Sequence, residues 1–368
     1  GELYSLWLWS SQQVRLANSV QTDRRAFIMK KNHFKSGLTK VLYTIALPVI
    51  VYVLFQVICR ICGITTFGVG TDLQSILFTT VYTGFISLAM AINLNQGRID
   101  YSIGSTMILA GIIGGHIASD LKANSWLALL IMLATGAIIG IISGIIYILL
   151  RIDAMITGIG LAMVYEGIGN MIYGGQGIRF SLKETNTMFT WGKFPWCILI
   201  IALAVFIMVA LSKYTKFGYN SWALTGNRKI ATERGINGKS NAVICYAIAG
   251  ALLGIAIFVH SSKYGYVGPE AGLSTGTYMI TGFLPFAVGE LLYKYCDLYI
   301  GVIVGTFCQA MLTSFMVQIN LSVSMQTVIN GIVICGLLIY TSNQAAFIER
   351  KAIKQKLLKL KNKLAANT

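Results

Sequence analysis

The sequence predicts an all-α polytopic membrane protein of about ten transmembrane helices, arranged as two inverted-topology halves. Three observations predict it. Of the 368 residues, 55% are hydrophobic and 11% charged, where a soluble domain carries roughly 25% charged residues. Apolar runs recur along the chain, most of them long enough to cross a bilayer, which takes about 20 residues per helix. Basic residues crowd some connections and avoid the next, as the inside bias of Lys and Arg requires. A net charge of +16 would otherwise raise nucleic acid as a partner. The charges sit beside apolar runs at the two ends and in one central loop, with no soluble platform for phosphates, which speaks against that reading.

Residues 1–37 form a basic N-terminal segment assigned to the cytoplasm. Its start, Gly1-Glu2-Leu3-Tyr4-Ser5-Leu6-Trp7, lacks the basic stretch of a signal peptide. A transmembrane domain follows over 38–341, with spans expected at 38–60, 73–94, 102–119, 126–150, 154–173, 195–212, 241–259, 277–290, 298–316 and 324–341. The segments 102–119 and 277–290 are short and rich in Gly, Ser and Thr, and the second contains Pro285. Short, interrupted spans at matching places in two halves mark the lining of a transport pathway. The tail 342–368 carries Ile353, Leu357, Leu360 and Leu364 at helical spacing amid Lys and Arg. It reads as an amphipathic helix on an anionic inner leaflet, or as a plain topogenic tail.

With the N-terminus inside, all but six of the 29 Lys and Arg fall on the cytoplasmic side; the six are Arg60, Lys122, Arg179, Lys183, Lys193 and Lys263. An odd number of spans would expose one strongly basic end outside, so the count is even and both termini are cytoplasmic. An internal repeat agrees. Ser105–Gly111 resembles Thr277–Phe283, and Gly136–Leu161 resembles Gly305–Gly331 with one insertion. The offset is five spans, and an odd offset reverses direction in the membrane. Gly136, Gly140 and Gly144, with Gly111/Gly115, Gly250/Gly254 and Gly301/Gly305, repeat at four-residue spacing, which lets helix backbones approach closely.

Enzymatic chemistry finds no foothold. Cys59 and Cys62 have the spacing of a redox pair but close an apolar span, as buried thiols do. His33, His116 and His260 stand far apart, and no metal site is expected. Gly238-Lys239-Ser240 looks like the end of a nucleotide-binding loop, yet Glu233 stands where the first Gly is needed. The loop 213–240 is the longest cytoplasmic connection. In it Asn227 can cap a short helix over Arg228–Arg234, with Gly235 as its stop and a Lys229–Glu233 pair on its surface. It is either a solvated topological loop or a docking helix for a cytoplasmic partner.

Three more polar sites stand out. Asp100 and Ser102 either cap the start of the third span or contact a substrate. Glu166, well inside the fifth span, must be paired or face water, because a buried carboxylate costs several kcal/mol otherwise. Asn170, one turn on, and Tyr173 are expected on the same side. Interhelical hydrogen bonding and a pathway role both fit this group.

Gly97-Arg98-Ile99-Asp100-Tyr101-Ser102-Ile103-Gly104-Ser105 resembles the G-x-I-D-L-S-x-G-S signature of the sugar-type permease subunits of bacterial ATP-binding-cassette importers, the ribose, galactose and xylose permease family. Leu224 to Ile236 is similar to that family's A-x-G-G-N-x-x-A-A-x-x-S-G-I loop, and the resemblance runs from about 70 to 341. It departs at Ile280 to Glu290, where the paired-glycine turn is altered, and at Glu166, where relatives often carry Arg. The resemblance implies the membrane-spanning subunit of an importer for a monosaccharide or similar polar molecule in a bacterial cell membrane. It implies cytoplasmic ATPases that bind the ATP, a second permease chain, identical or not, and an extracellular binding protein. No cofactor is expected on this chain. Asp100, Ser102, Ser105, Glu166, Asn170 and Tyr173 become pathway candidates, and Gly226, Asn227, Arg228, Glu233, Arg234 and Gly235 the ATPase contact. An ion- or proton-coupled carrier, or an importer of nucleosides or amino acids, is the alternative.

Overall fold

A computed structural model describes residues 37–63, 67–181, 186–341 and 343. Residues 1–36 of the basic N-terminal segment, Lys183, and the tail 342–368 apart from Asn343 lie outside the described residues. Each of the ten expected spans contains a helix: α1 (Gly37–Ile61), α2 (Thr71–Leu94), α3 (Ile103–Asp120), α4 (Ser125–Leu150), α5 (Ala154–Met171) and α6 (Trp196–Tyr214). After two short helices, α7 (Lys216–Gly226) and α8 (Arg228–Glu233), come α9 (Gly238–Tyr264), α10 (Gly276–Leu292), α11 (Leu298–Gln318) and α12 (Val323–Thr341). Among the described residues, eight helices are long and apolar enough to cross a membrane. Of the ten helices in the expected spans, the two that are not, α3 and α10, are the two weak spans. Their polar composition is tolerated because neighbours enclose them: α3 is buried on most of its surface, down to Ser102, Ser105 and Thr106.

Local chemistry sets the helix ends. Asp153, Asn237 and Asp297 accept the first free N–H groups of α5, α9 and α11, the groups no helix can satisfy internally. Gly265 takes the left-handed conformation after α9, at φ 62°. Arg151 does so after α4, at φ 56°, an uncommon conformation for a residue with a side chain.

Packing follows the glycines. A Cβ added at Gly136 or Gly140 of α4 would lie 2.2 Å from the carbonyl oxygens of Gly250 and Tyr246 on α9. One at Gly254 would lie 2.1 Å from the Met132 carbonyl oxygen. The two backbones touch, and dispersion over that contact replaces the hydrophobic drive that lipid does not supply.

The arrangement has two related halves, and the contacts exchange when α1–α5 are swapped for α6 and α9–α12. α4 packs on α9 as α11 packs on α2; α3 meets α4 as α10 meets α11; α3 meets α9 as α10 meets α2. α2 with α9, and α3 with α10, pair across the halves with their own counterparts. Leu109, Leu161 and Tyr165 join α3 to α5, while Leu284 and Val288 join α10 to Val333 and Leu337 of α12. The peripheral helices break the pattern, because α1 packs on α11 while α6 lies against α2.

Two elements were not legible in the sequence. The loop 213–240 holds α7 as well as the short helix. A two-stranded antiparallel ribbon, β1 (Ile178–Arg179) with β2 (Tyr266–Val267), ties together the connections that follow α5 and α9.

Candidate functional site: two helix starts and a cytoplasmic hub

The first turns of α3 and α10 meet. A Cβ on Gly104 would lie 2.1 Å from the Thr275 carbonyl oxygen, and one on Gly276 would lie 2.3 Å from the Tyr101 hydroxyl. Only glycine lets the two starts come this close. Each start is closed by a carboxylate.

Before α3, Asp100 Oδ1 accepts from the Ser102 N–H at 2.9 Å and from the Ser102 hydroxyl at 2.7 Å. The Ser102 side chain therefore turns back to Asp100 instead of capping the next turn, and Ser105 Oγ donates to the Ser102 carbonyl at 3.0 Å. All three are buried. Burial in this connecting loop pushes the Asp100 carboxyl above its ordinary range, and the two Ser102 bonds and the Arg98 charge work against that shift.

Before α10, Glu166 of α5 takes the equivalent place. Its Oε2 accepts from the Leu273 N–H at 2.9 Å. Its Oε1 accepts from the Thr275 N–H at 3.2 Å and the Thr275 hydroxyl at 2.6 Å. A carboxylate at a helix start is also favoured by the helix dipole. Asn170 Nδ2 donates to the carbonyls of Glu270 and Glu166, at 2.7 and 2.9 Å, while the Glu270 carboxylate accepts from Ser274 and Tyr278. The carboxylate bonds hold the Gly272–Leu273 turn, where both residues have positive φ.

The structure thus brings Asp100, Ser102 and Ser105 together, and Glu166 with Asn170, on opposite sides of one junction. α5 touches both sides, since Gly158 packs on Asp100 and Tyr101. Asn170 lies on the side of Glu166 as expected, bonded to the same 270–275 segment, although it is exposed. One expectation needs correction. Tyr173 does not share the face of Glu166: α5 ends at Met171, and Tyr173, at φ 49°, stacks on His116 of α3 with ring centroids 3.6 Å apart. The helix period lapses where the chain turns left-handed.

The second region lies at the other end of α9. Asn227 Oδ1 accepts from the N–H groups of Lys229 and Ile230, at 3.1 and 3.2 Å. Gly235, at φ 85°, stops α8, and the Ile236 N–H returns to the Ala231 carbonyl. Ala231 is buried, whereas Arg228, Glu233 and Arg234 are exposed and Gly226 flanks them at the surface. The expected Lys229–Glu233 ion pair is not formed. Solvated charges on a helix surface gain little from pairing, and the ion pair among the described residues is Lys213–Asp297, at 3.2 Å, between the ends of α6 and α11.

A chain of hydrogen bonds runs from α7 to the Asp100 loop. Ser221 donates to Asn241, Asn241 Nδ2 to Gln96 Oε1 at 3.0 Å, and Arg98 Nη2 to the same oxygen at 2.7 Å. Thr225 donates to the Asn95 carbonyl. A cavity of about 270 Å³ opens beside it, lined by Lys213, Ser221, Trp222, Thr225 and Asp297. Sequence reasoning missed Gln96, Ser221, Asn241, Glu270 and Thr275. The first and third are amides at the ends of apolar runs, a signal that was there to read.

Comparison with known proteins decides the class of this arrangement. Residues 73–340 match the model of a family described as branched-chain amino acid transport system / permease component. The chain belongs to this permease family. It is 26% identical over 266 residues to the autoinducer 2 import system permease protein LsrC of Yersinia pseudotuberculosis, covering 70% of this chain and 74% of that one. To the Yersinia enterocolitica protein of the same name it is 27% identical over 266 residues, covering 70% and 72%. To the ribose import permease protein RbsC of Escherichia coli it is 25% identical over 258 residues, covering 67% and 76%. No solved structure matches the chain. This permease is therefore a multi-pass membrane component of an import system.

Proposed function

We propose that this permease carries a monosaccharide or similar polar small molecule across a bacterial cell membrane, with both termini in the cytoplasm. ATP is hydrolysed by a partner ATPase that docks on Gly226–Gly235. An extracellular binding protein delivers the cargo, and a second permease chain completes the pathway. The ribose and autoinducer 2 names of the relatives favour a sugar-like cargo over the amino acids in the family's description.

One observation carries the mechanism: α8 is a six-residue capped helix joined through α7 to the hydrogen-bond chain that ends at the Asp100 loop. So short a helix has little stability alone in water. Its exposed Arg228, Glu233 and Arg234 offer contacts to a docking protein, and a displacement there is transmitted through Asn241 and Gln96 to Arg98 and the start of α3. Alternating access then follows as a two-state shift biased by the ATPase.

The ion-coupled carrier reading loses support, because both Glu166 oxygens are already occupied by protein donors. The test is reconstitution with ATPase and binding protein in liposomes. Replacing Gly226–Gly235 by a flexible linker of equal charge should abolish cargo uptake and stimulated ATP hydrolysis together. Persistent uptake would overturn the ATPase assignment, and inhibition of uptake by leucine but not ribose would overturn the cargo.

A further inference from the structure

A second cavity, of about 390 Å³, lies between the α4–α5 connection, the Arg98 loop and the starts of α8 and α9. Four cations line it, Arg98, Arg151, Arg228 and Lys239, against a single carboxylate, Asp153. That carboxylate is already engaged, since its Oδ1 accepts from the Met155 N–H. None of the four cations forms an ion pair among the described residues.

Arg98 is the deepest. It is 4% exposed, and although its Nη2 donates to Gln96, its Nε has no hydrogen-bond partner. A buried guanidinium N–H left without an acceptor is costly. The first turn of α9 adds its positive end, with Gly238 and Lys239 on the cavity wall. Arg151 is held toward this space by the left-handed turn that ends α4.

The rim is apolar. Leu149, Leu150 and Ile156 are exposed beside the cavity, and Ile152 lines it. They continue the exposed faces of α4 and α5 at the helix ends that flank Arg151–Asp153.

From this geometry we propose that the cavity binds the phosphate of an anionic phospholipid headgroup, with its acyl chains lying along the exposed ends of α4 and α5. Basic pockets between membrane helices on the cytoplasmic side suit such headgroups. Arg98 adds its charge at the depth of the cavity, and Arg151 and Lys239 close over the phosphate from the solvent side. Because Arg228 starts α8, a bound lipid would also steady the helix assigned to ATPase docking. The lipid site itself stands without that assignment.

The test uses the full permease chain, purified in detergent, with phosphatidylglycerol and phosphatidylcholine as probes and native mass spectrometry as the readout. Phosphatidylglycerol should be retained about tenfold more than phosphatidylcholine. The double variant Arg151→Gln/Lys239→Gln should lose that preference, a change of about tenfold lying within what two interfacial cations supply. Both side chains are exposed, and Arg151→Lys/Lys239→Arg, which keeps the charges, should retain it. Equal retention of the two lipids, or an unchanged preference in the double variant, overturns the proposal. Stabilisation by inorganic phosphate without lipid, lost in the double variant, assigns the cavity to a soluble phosphate and overturns the lipid.

Discussion

Three donors converge on the Glu166 carboxylate, and two of them are backbone groups at the start of α10. Removing the acceptor leaves buried N–H and O–H groups unpaired, at about 1–3 kcal/mol each. Glu166→Ala should therefore lower the melting temperature in detergent by several degrees while the chain still inserts. Glu166→Gln should fall between, because its amide oxygen can keep the Thr275 bonds while its NH2 opposes the Leu273 N–H. A thermal-shift series checks this order; a Gln variant as stable as wild type with altered uptake would point to pathway chemistry instead. The sequence made it plain that Glu166 needed a partner, because a carboxylate inside a span cannot stay bare. It could not name Thr275, which lies 109 positions further along the chain. Asp100 and Ser102 were easier, since their bonds span two residues.

Helices were legible wherever one chain segment fixes its own ends. Asn227 and Gly235 announce α8 because a capping side chain and a left-handed stop are local chemistry. α7 was missed because its run, Lys216 to Gly226, mixes polar and aromatic residues without a clear apolar stripe, and it is held by Thr215 and by contacts to distant residues. The β1–β2 ribbon is two residues long on each side and leaves no alternation to read. At Gly235 the open surroundings isolate the conformational effect, since no described atom lies within 4 Å of an added Cβ. Valine there must adopt φ 85°, a strain of roughly 1–2 kcal/mol. Gly235→Val should leave the chain inserted and the binding protein docked, while transport and stimulated ATP hydrolysis fall together in the reconstituted system. Unchanged coupling in that variant would mean that the helix stop has no part in docking.

Across the whole molecule, glycines fall into two groups that the sequence alone does not separate. Gly136, Gly140, Gly250 and Gly254 sit in contact with opposing backbone, whereas no described atom lies within 4 Å of a Cβ added at Gly160 or Gly167 on α5, or at Gly331 or Gly336 on α12. α5 and α12 are counterparts in the two halves, and each carries glycines with open space beside them. Small residues on a membrane helix permit close approach by another helix, and a second permease chain is the occupant we assign to them. Two sets of variants separate interior from interface. Gly136→Leu drives a side chain into the Gly250 carbonyl and should abolish a monodisperse, folded permease by size exclusion. Gly160→Leu meets no such obstacle and should leave the melting temperature of the isolated chain unchanged while weakening assembly. With the exposed Cys62 and Cys335 replaced by Ser, Gly160→Cys or Gly331→Cys should cross-link in native membranes. The mass of the product tells an identical second chain from a different one. If neither position cross-links and Gly160→Leu transports normally, these faces meet lipid and the assignment of a second chain to them is overturned.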